Sequence, residues 1–234
     1  MHPSRVDTHS ILSRQTSNDS IVIVNKRSAT SRQEQAIAHI LFEAAIKNEP
    51  SQIRAVMTRG VHQFNINETR RALSGMTPVH VAARHGSFEA LEQLIIHGAR
   101  VHVKCSSAVY HMNPLHLAVY FSQDVSDRWY NYQKIIELLL TLPIAGSMDA
   151  NGVDGLNRTP LHWAALRGFG KAIKLLLEKG ACRDVVDYYG WSPLHYAIEF
   201  NLLGGGGFDF YKSLICPDNV NLKNQGFNHM KYSL

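Results

Sequence analysis

The sequence predicts an all-α solenoid of about four to five helix–turn–helix repeats, and three observations carry that prediction. A short phrase recurs four times: Thr77-Pro78-Val79-His80, Asn113-Pro114-Leu115-His116, Thr159-Pro160-Leu161-His162 and Ser192-Pro193-Leu194-His195. Each copy is followed by a hydrophobic residue and then an alanine, at Ala82, Ala118, Ala164 and Ala197. The copies are offset by 36, 46 and 33 residues. Recurrence near a period of 33 is the mark of stacked repeats, in which each unit buries its apolar face against its neighbours. A stack of this kind offers a long surface, and such surfaces bind other proteins.

Each element of a repeat has a local cause. Thr159 and Ser192 are good helix N-caps, because a hydroxyl there is expected to accept a bond from an orphan backbone N–H. The proline that follows sits at the first helical position, where no donor is lost. Ala82-Ala83 and Ala164-Ala165 are small enough to let neighbouring helices approach closely. Gly86 and Gly168 are placed to end the first helix in a left-handed conformation, and Asn201 holds the matching place in the fourth copy. A second helix is predicted behind each turn, with Leu91, Leu94 and Ile95 or Ile173, Leu176 and Leu177 on one face. Gly98 and Gly180 end it.

Two copies carry insertions. Leu161 to Leu175 spans 14 residues, whereas the matching Leu115 to Leu138 spans 23, which puts nine extra residues around Ser122 to Asn131. A smaller insertion lies at Leu202 to Gly207. Repeat proteins take insertions in loops, often on a functional face. The first insertion brings Asp124, Asp127, Trp129 and Tyr130. Its rings either form a second contact site or fold back over the following helix, as amphipathic aromatics do.

The ends are less regular. Leu41-Phe42-Glu43-Ala44-Ala45, with Ile53, Val56 and Met57 behind it and Gly60 after, reads as a degenerate terminal repeat, with Ser31 and Glu34 as a capping box. Residues 1–35 are Ser/Thr-rich and without a helical stripe, and are expected to be disordered. Within them, Arg14-Gln15-Thr16-Ser17 resembles a kinase site with Ser17 as acceptor. Asp19-Ser20-Ile21-Val22-Ile23-Val24 resembles segments that add a strand to a ubiquitin-like modifier. The expected organisation is therefore an arm over 1–35, a degenerate repeat over 36–76, repeats over 77–112, 113–158, 159–191 and 192–221, and an incomplete repeat or improvised cap over 222–234.

Composition narrows the function classes. The 234 residues are 45% hydrophobic with a net charge of +5. No apolar run approaches the roughly 18 residues that could span a membrane. Residues 1–14 lack the apolar core of a secretory signal. Cys105, Cys182 and Cys216 are too few and scattered for a disulfide framework, so reduced thiols and a cytosolic or nuclear setting are expected. The basic residues are dispersed, with no run longer than a pair such as Arg70-Arg71, so nucleic acid is the weaker reading of the positive charge. Four of the 13 histidines, His80, His116, His162 and His195, occur once per repeat. Adjacent repeats hold them roughly 10 Å apart, about one helix-packing distance, too far for one metal ion. Gly204 to Gly207 lacks the Lys-Ser/Thr of a phosphate loop, and no nucleophile sits in a recognisable local signature. No catalytic residue, cofactor or metal is expected.

The phrase and its surroundings resemble the ankyrin-repeat family. The third copy matches most fully, from Asp154 through Thr159-Pro160-Leu161-His162-Trp163-Ala164-Ala165 and Gly168 to Ile173-Lys174-Leu175-Leu176-Leu177-Glu178-Lys179-Gly180-Ala181. The resemblance implies hairpin-like fingers between the helix pairs, a structural hydrogen bond for each repeated histidine, and a concave binding face. Carried over position by position, that face comprises Met76, Arg84 and His85; Tyr110, Met112, Tyr120 and Phe121; Arg158 and Arg167; and Tyr188, Tyr189, Trp191 and Phe200. These residues either contact a partner or pack between fingers as filler, and tyrosine, tryptophan and arginine are the types that dominate binding hot spots. The expected role is a non-catalytic module that binds a protein partner. The alternative is a regulatory or adaptor portion of a larger assembly, such as a channel or a ubiquitin-ligase adaptor.

Overall fold

The proline at the start of each phrase opens a helix in all four copies, and a second helix follows the turn after three of them. In the computed structural model, residues 34–58, 65–68, 73–106, 110–122, 128–142, 148–201 and 214–215 are described. Residues 1–33 of the expected arm, with Ser17 and Ser31, the tip of the first insertion, the Gly204–Gly207 run, Cys216 and the tail over 222–234 lie outside the described residues, whereas Glu34 and Gln35, expected in the disordered arm, are helical.

Residues 34–47 form α1. The other helices are α2 (Pro50–Thr58), α3 (Pro78–His85), α4 (Phe88–Ile96), α5 (Pro114–Phe121), α6 (Trp129–Thr141), α7 (Pro160–Arg167), α8 (Gly170–Glu178) and α9 (Pro193–Asn201). The helices stack in two rows. In the inner row α3 packs on α5, α5 on α7 and α7 on α9. In the outer row α2 packs on α4 and α4 on α6, while α3–α4, α5–α6 and α7–α8 close the hairpins. One apolar core runs the length of the stack, from Ile37 and Leu41 to Ala197 and Leu214. Ala82, Ala83, Ala118, Ala164, Ala165 and Ala197 are fully buried, so backbones meet where a larger side chain would hold them apart.

The degenerate first repeat buries Leu41, Phe42, Ala44, Ala45 and Ile53. Its turn uses Asn48 where the first and third full copies use Gly86 and Gly168. Asn48 is left-handed (φ 57), and its Oδ1 accepts from Ala90 N at 3.0 Å, which ties α1 to α4. Gly86 and Gly168 are the left-handed caps expected (φ 71 and 66). Gly86 has a further role, because a Cβ there would meet the Tyr132 ring at 3.0 Å. Tyr132 lies across that gap and donates from its hydroxyl to Arg84 O at 2.8 Å.

The N-caps differ from the sequence expectation. Thr77 and Thr159 keep a capping-box arrangement with the third helical residue. The short bond of each hydroxyl, however, goes to the histidine ring: Thr77 Oγ1 to His80 Nδ1 at 2.8 Å, Thr159 Oγ1 to His162 Nδ1 at 2.8 Å, and Ser192 Oγ to His195 Nδ1 at 2.9 Å. Asn113 accepts from His116 N at 3.0 Å. His162 shows the full device. Its Nδ1 accepts from Thr159 N–H at 3.0 Å, so the proton sits on Nε2, which donates to Trp191 O at 2.9 Å in the next copy. His116 Nε2 meets Arg158 O in the same way at 3.0 Å. His116 and His162 thus join their own helix starts to the following finger, which extends the local role inferred from sequence. Burial holds His80, His116 and His162 down to about 4, below the usual histidine range, so each is neutral near pH 7.

The first insertion is partly helical. Trp129–Asn131, read from sequence as loop, extend α6 to 13 residues against nine in α4 and α8. Trp129 packs against the core, which favours another turn of helix over an open loop.

Candidate functional site

The fingers between helix pairs join edge to edge. Ser106 N donates to Ser74 O at 3.0 Å, Gly155 N to Tyr110 O at 2.7 Å and Tyr188 N to Leu156 O at 2.9 Å, one bond at each junction. Gly155 is required at its junction: a Cβ there would lie 2.9 Å from His111 Cδ2 and 3.1 Å from Tyr110 O.

Fingers three and four are held by a buried aspartate. Asp154 Oδ1 accepts from Leu156 N at 2.8 Å and Arg158 N at 3.0 Å, while Oδ2 accepts from Arg158 Nε at 2.9 Å and Trp163 Nε1 at 3.2 Å. Asp187 repeats the pattern. Its Oδ1 accepts from Tyr189 N and Trp191 N, both at 2.9 Å, and its Oδ2 from the Tyr196 hydroxyl at 2.6 Å. Burial and that bond to a carboxylate push the Tyr196 hydroxyl well above the usual phenol range.

Inside the fingers, rings and cations alternate across three copies. The Arg84 guanidinium lies 4.7 Å from the Phe121 ring centroid. Phe121 meets Tyr120 edge-on at 4.9 Å, and Tyr120 meets Trp163 edge-on at 5.1 Å. Arg167 lies 5.1 Å from Tyr120 and 5.2 Å from Phe169. Arg158 is sandwiched between Tyr110 at 4.5 Å and Trp163 at 4.0 Å. Each contact is a cation–π or edge-to-face pair worth about 0.5–1.5 kcal/mol beyond area burial, so the row is ordered before anything binds. The pKa of His85 is lowered by partial burial and by the nearby charges of Arg84 and Arg128, which marks a local concentration of positive potential.

The residues carried over from sequence fall into two groups. Arg84, Tyr120 and Phe121 are half-buried in this row, while His85, Arg167 and Tyr110 reach solvent, Tyr110 at 49%. Tyr188 and Tyr189 are exposed on the fourth finger and stack edge-on at 5.3 Å. Met76, Met112, Arg158 and Trp191 lie in the interior, Trp191 at only 5% exposed, and leave no surface for a partner to reach. They are corrected to filler because each sits where a finger folds against the inner helices. Trp191 packs on Tyr196 at 5.6 Å, and Arg158 is paired with Asp154. The Phe200 side chain lies outside the described residues. In the insertion, Trp129 is half-buried against the core while Tyr130 is exposed.

Sequence reading passed over Trp163, Tyr132, Asp154 and Asp187 as site-builders. A signal existed for two of them: the ring donor stands nine residues after the aspartate in both copies, Asp154 to Trp163 and Asp187 to Tyr196. Among the described residues, no group of three or more His, Cys, Asp or Glu could hold a metal ion, and no helix is long and apolar enough to cross a membrane. Cys105 is buried, and burial pushes its thiol up to about 11.

Stacked helix pairs, joined fingers and a row of rings and cations define a repeat solenoid. The profile described as ankyrin repeats, in three copies, matches residues 41–141 and 128–225, and the chain belongs to that family. It is 31% identical over 123 residues to transient receptor potential cation channel subfamily A member 1 of Homo sapiens, covering 53% of this chain and 10% of the channel. It is 31% identical over 156 residues to palmitoyltransferase AKR1 of Lachancea kluyveri, covering 67% and 19%. It is 29% identical over 133 residues to inversin of Canis lupus familiaris, covering 57% and 11%. The chain thus spans less than a fifth of the length of each of these relatives. Ankyrin repeats generally mediate protein–protein interaction.

Proposed function

We propose that this chain is a non-catalytic module that binds a protein partner through its concave face, with Arg84, His85, Tyr110, Tyr120, Phe121, Arg167, Tyr188 and Tyr189 as the contacting residues. The observation that carries the reading is the ring–cation row across three copies. Rings and guanidinium groups are the chemistry of binding hot spots, and pre-ordering them lowers the entropy lost on association. The pair Tyr188 and Tyr189, at 72% and 57% exposed, adds apolar surface on the fourth finger. Scattered exposed rings are ordinary, but adjacent ones on a face lined with arginine support a contact region.

The test separates binding from scaffold. Tyr120→Ala with Arg167→Ala, and separately Tyr188→Ala with Tyr189→Ala, are compared with the intact chain for partner recovery and melting temperature. Lost recovery with a nearly unchanged melt is expected. Full recovery by both double variants would move the site elsewhere.

A second reading has its own support. The relatives are several times longer than the matched region, and one is a cation channel by name. On this reading the module is a regulatory or adaptor portion of a larger assembly, a channel or a ubiquitin-ligase adaptor, in a cytoplasmic or nuclear setting.

A further inference from the structure

We propose that the row Arg84–Phe121–Tyr120–Arg167 takes an extended acidic segment of a partner protein, with two carboxylates about four residues apart and an apolar side chain midway. This rests on the concave-face reading and names its chemistry.

The first argument is charge. Among the described residues, the ion pairs are Lys47–Glu43, Arg158–Asp154 and Lys174–Glu178, so Arg84, Arg128 and Arg167 have no acidic partner there. Arg84 and Arg128 also act together on His85 and on Tyr132. A concave wall with cations of one sign attracts a ligand of the other.

The second argument is geometry. Arg84 covers a face of Phe121, and Arg167 covers Tyr120. A stacked guanidinium is fixed in orientation, with its N–H edge left to bond a carboxylate in bidentate fashion. Those rings offer edges rather than open faces, which disfavours base stacking and hence single-stranded nucleic acid. Arg84 is in the first full copy and Arg167 in the third, but both lean onto the α5 rings between them, so their guanidinium carbons are no more than about 15 Å apart. At about 3.3 Å per extended residue, a strand reaches from one guanidinium to the other in about four residues. Its middle residue then lies over Phe121 and Tyr120.

The third argument excludes the chain's two terminal segments as occupants. Residues 1–33 carry five lysines and arginines against two acids, and residues 202–234 carry three against two. Basic segments are repelled from a basic row.

The test uses the full chain and a fluorescent peptide with aspartates about four residues apart, a leucine midway and serine elsewhere. Fluorescence anisotropy is read at low and high salt. Binding that weakens with salt is expected. Arg84→Gln and Arg167→Gln should each reduce affinity about tenfold, the scale of one lost charge-assisted pair, with the melting temperature unchanged. Lys174→Gln on the outer helix should not matter. Arg167→Lys should fall between, since it keeps charge without the fork. No binding, equal binding of the peptide with lysines for aspartates, or full affinity in both glutamine variants overturns the proposal. So does better competition by an oligoribonucleotide or by phosphatidylserine vesicles than by unlabelled peptide. If Tyr120→Ala with Arg167→Ala still abolishes partner recovery while the acidic peptide fails, the concave face stands and only its acidic ligand falls.

Discussion

The first two fingers and the last two reach the same contour by different chemistry. In all four, the residue two places before the capping residue is left-handed: Gly75, His111, Asn157 and Gly190, with φ between 55 and 80. Fingers three and four fold around buried Asp154 and Asp187, whose oxygens collect backbone N–H groups and a ring donor. Fingers one and two have Ala72 and Ala108 at the corresponding positions. They turn instead through consecutive left-handed residues, Ser74-Gly75 and Tyr110-His111 (φ 54 and 68; 58 and 55). A left-handed residue with a side chain costs about 1–2 kcal/mol. The second finger bears that cost twice, and it is the finger whose Tyr110 packs on Arg158 and Trp163. Strain of this kind concentrates where a surface is committed to a function. The contrast is between an end braced by polar bonds and a middle held in shape by its neighbours.

The largest effect should come from breaking the brace. Asp154→Ala leaves the Arg158 guanidinium buried without its carboxylate and removes four accepted bonds. A loss of about 3–5 kcal/mol is expected, read as a lower urea midpoint. Asp187→Ala, with no buried cation to orphan, should cost less. Equal losses would mean that the Arg158 pair contributes little.

Acid should come next. His80, His116 and His162 have folded values near 4, against about 6.5 in the unfolded chain. The unfolded state therefore binds more protons between those values. The stabilisation is complete above about pH 6.5 and is lost as pH falls toward 4, by several kcal/mol in total. Chemical denaturation at stepped pH measures it. A flat profile from pH 7 to 4.5 would refute the neutral-histidine bridges.

Gly155→Ala should open the junction between fingers two and three, at about 1–3 kcal/mol, the usual cost of overpacking. Thermal melting reads it. The smallest effect has the opposite sign. His111→Gly relieves one left-handed residue but forfeits the His111 Nδ1 contact with Cys105 O at 3.2 Å. A gain of about 0.5–1 kcal/mol is expected. A loss would show that the histidine contact outweighs the strain.

The fold was legible because its determinants are local and repeated. Proline at the first helical turn, the alanine pairs and the left-handed glycines each act within a few residues, so one copy explains the next. The site was legible only in part. Arg84, Tyr120, Phe121 and Arg167 were carried over from the ankyrin resemblance by repeat register, and they do meet in one row of rings and cations. Trp191 and Arg158 were misjudged because residue type does not reveal burial, and a tryptophan at a finger base can face either way. The bridges from His116 to Arg158 O and from His162 to Trp191 O cross repeats, so neither is visible within a single copy. The helical start at Trp129 was hidden by the insertion that precedes it.

The most direct test of the central claim is site-specific photo-crosslinking, with the reactive residue placed at Tyr120 on the concave face or at exposed Glu92 on outer helix α4. The concave-face account predicts a discrete partner adduct from position 120 and none from position 92, with the 120 adduct lost when Arg84 and Arg167 are both changed to glutamine. An adduct from position 92 alone would contradict it.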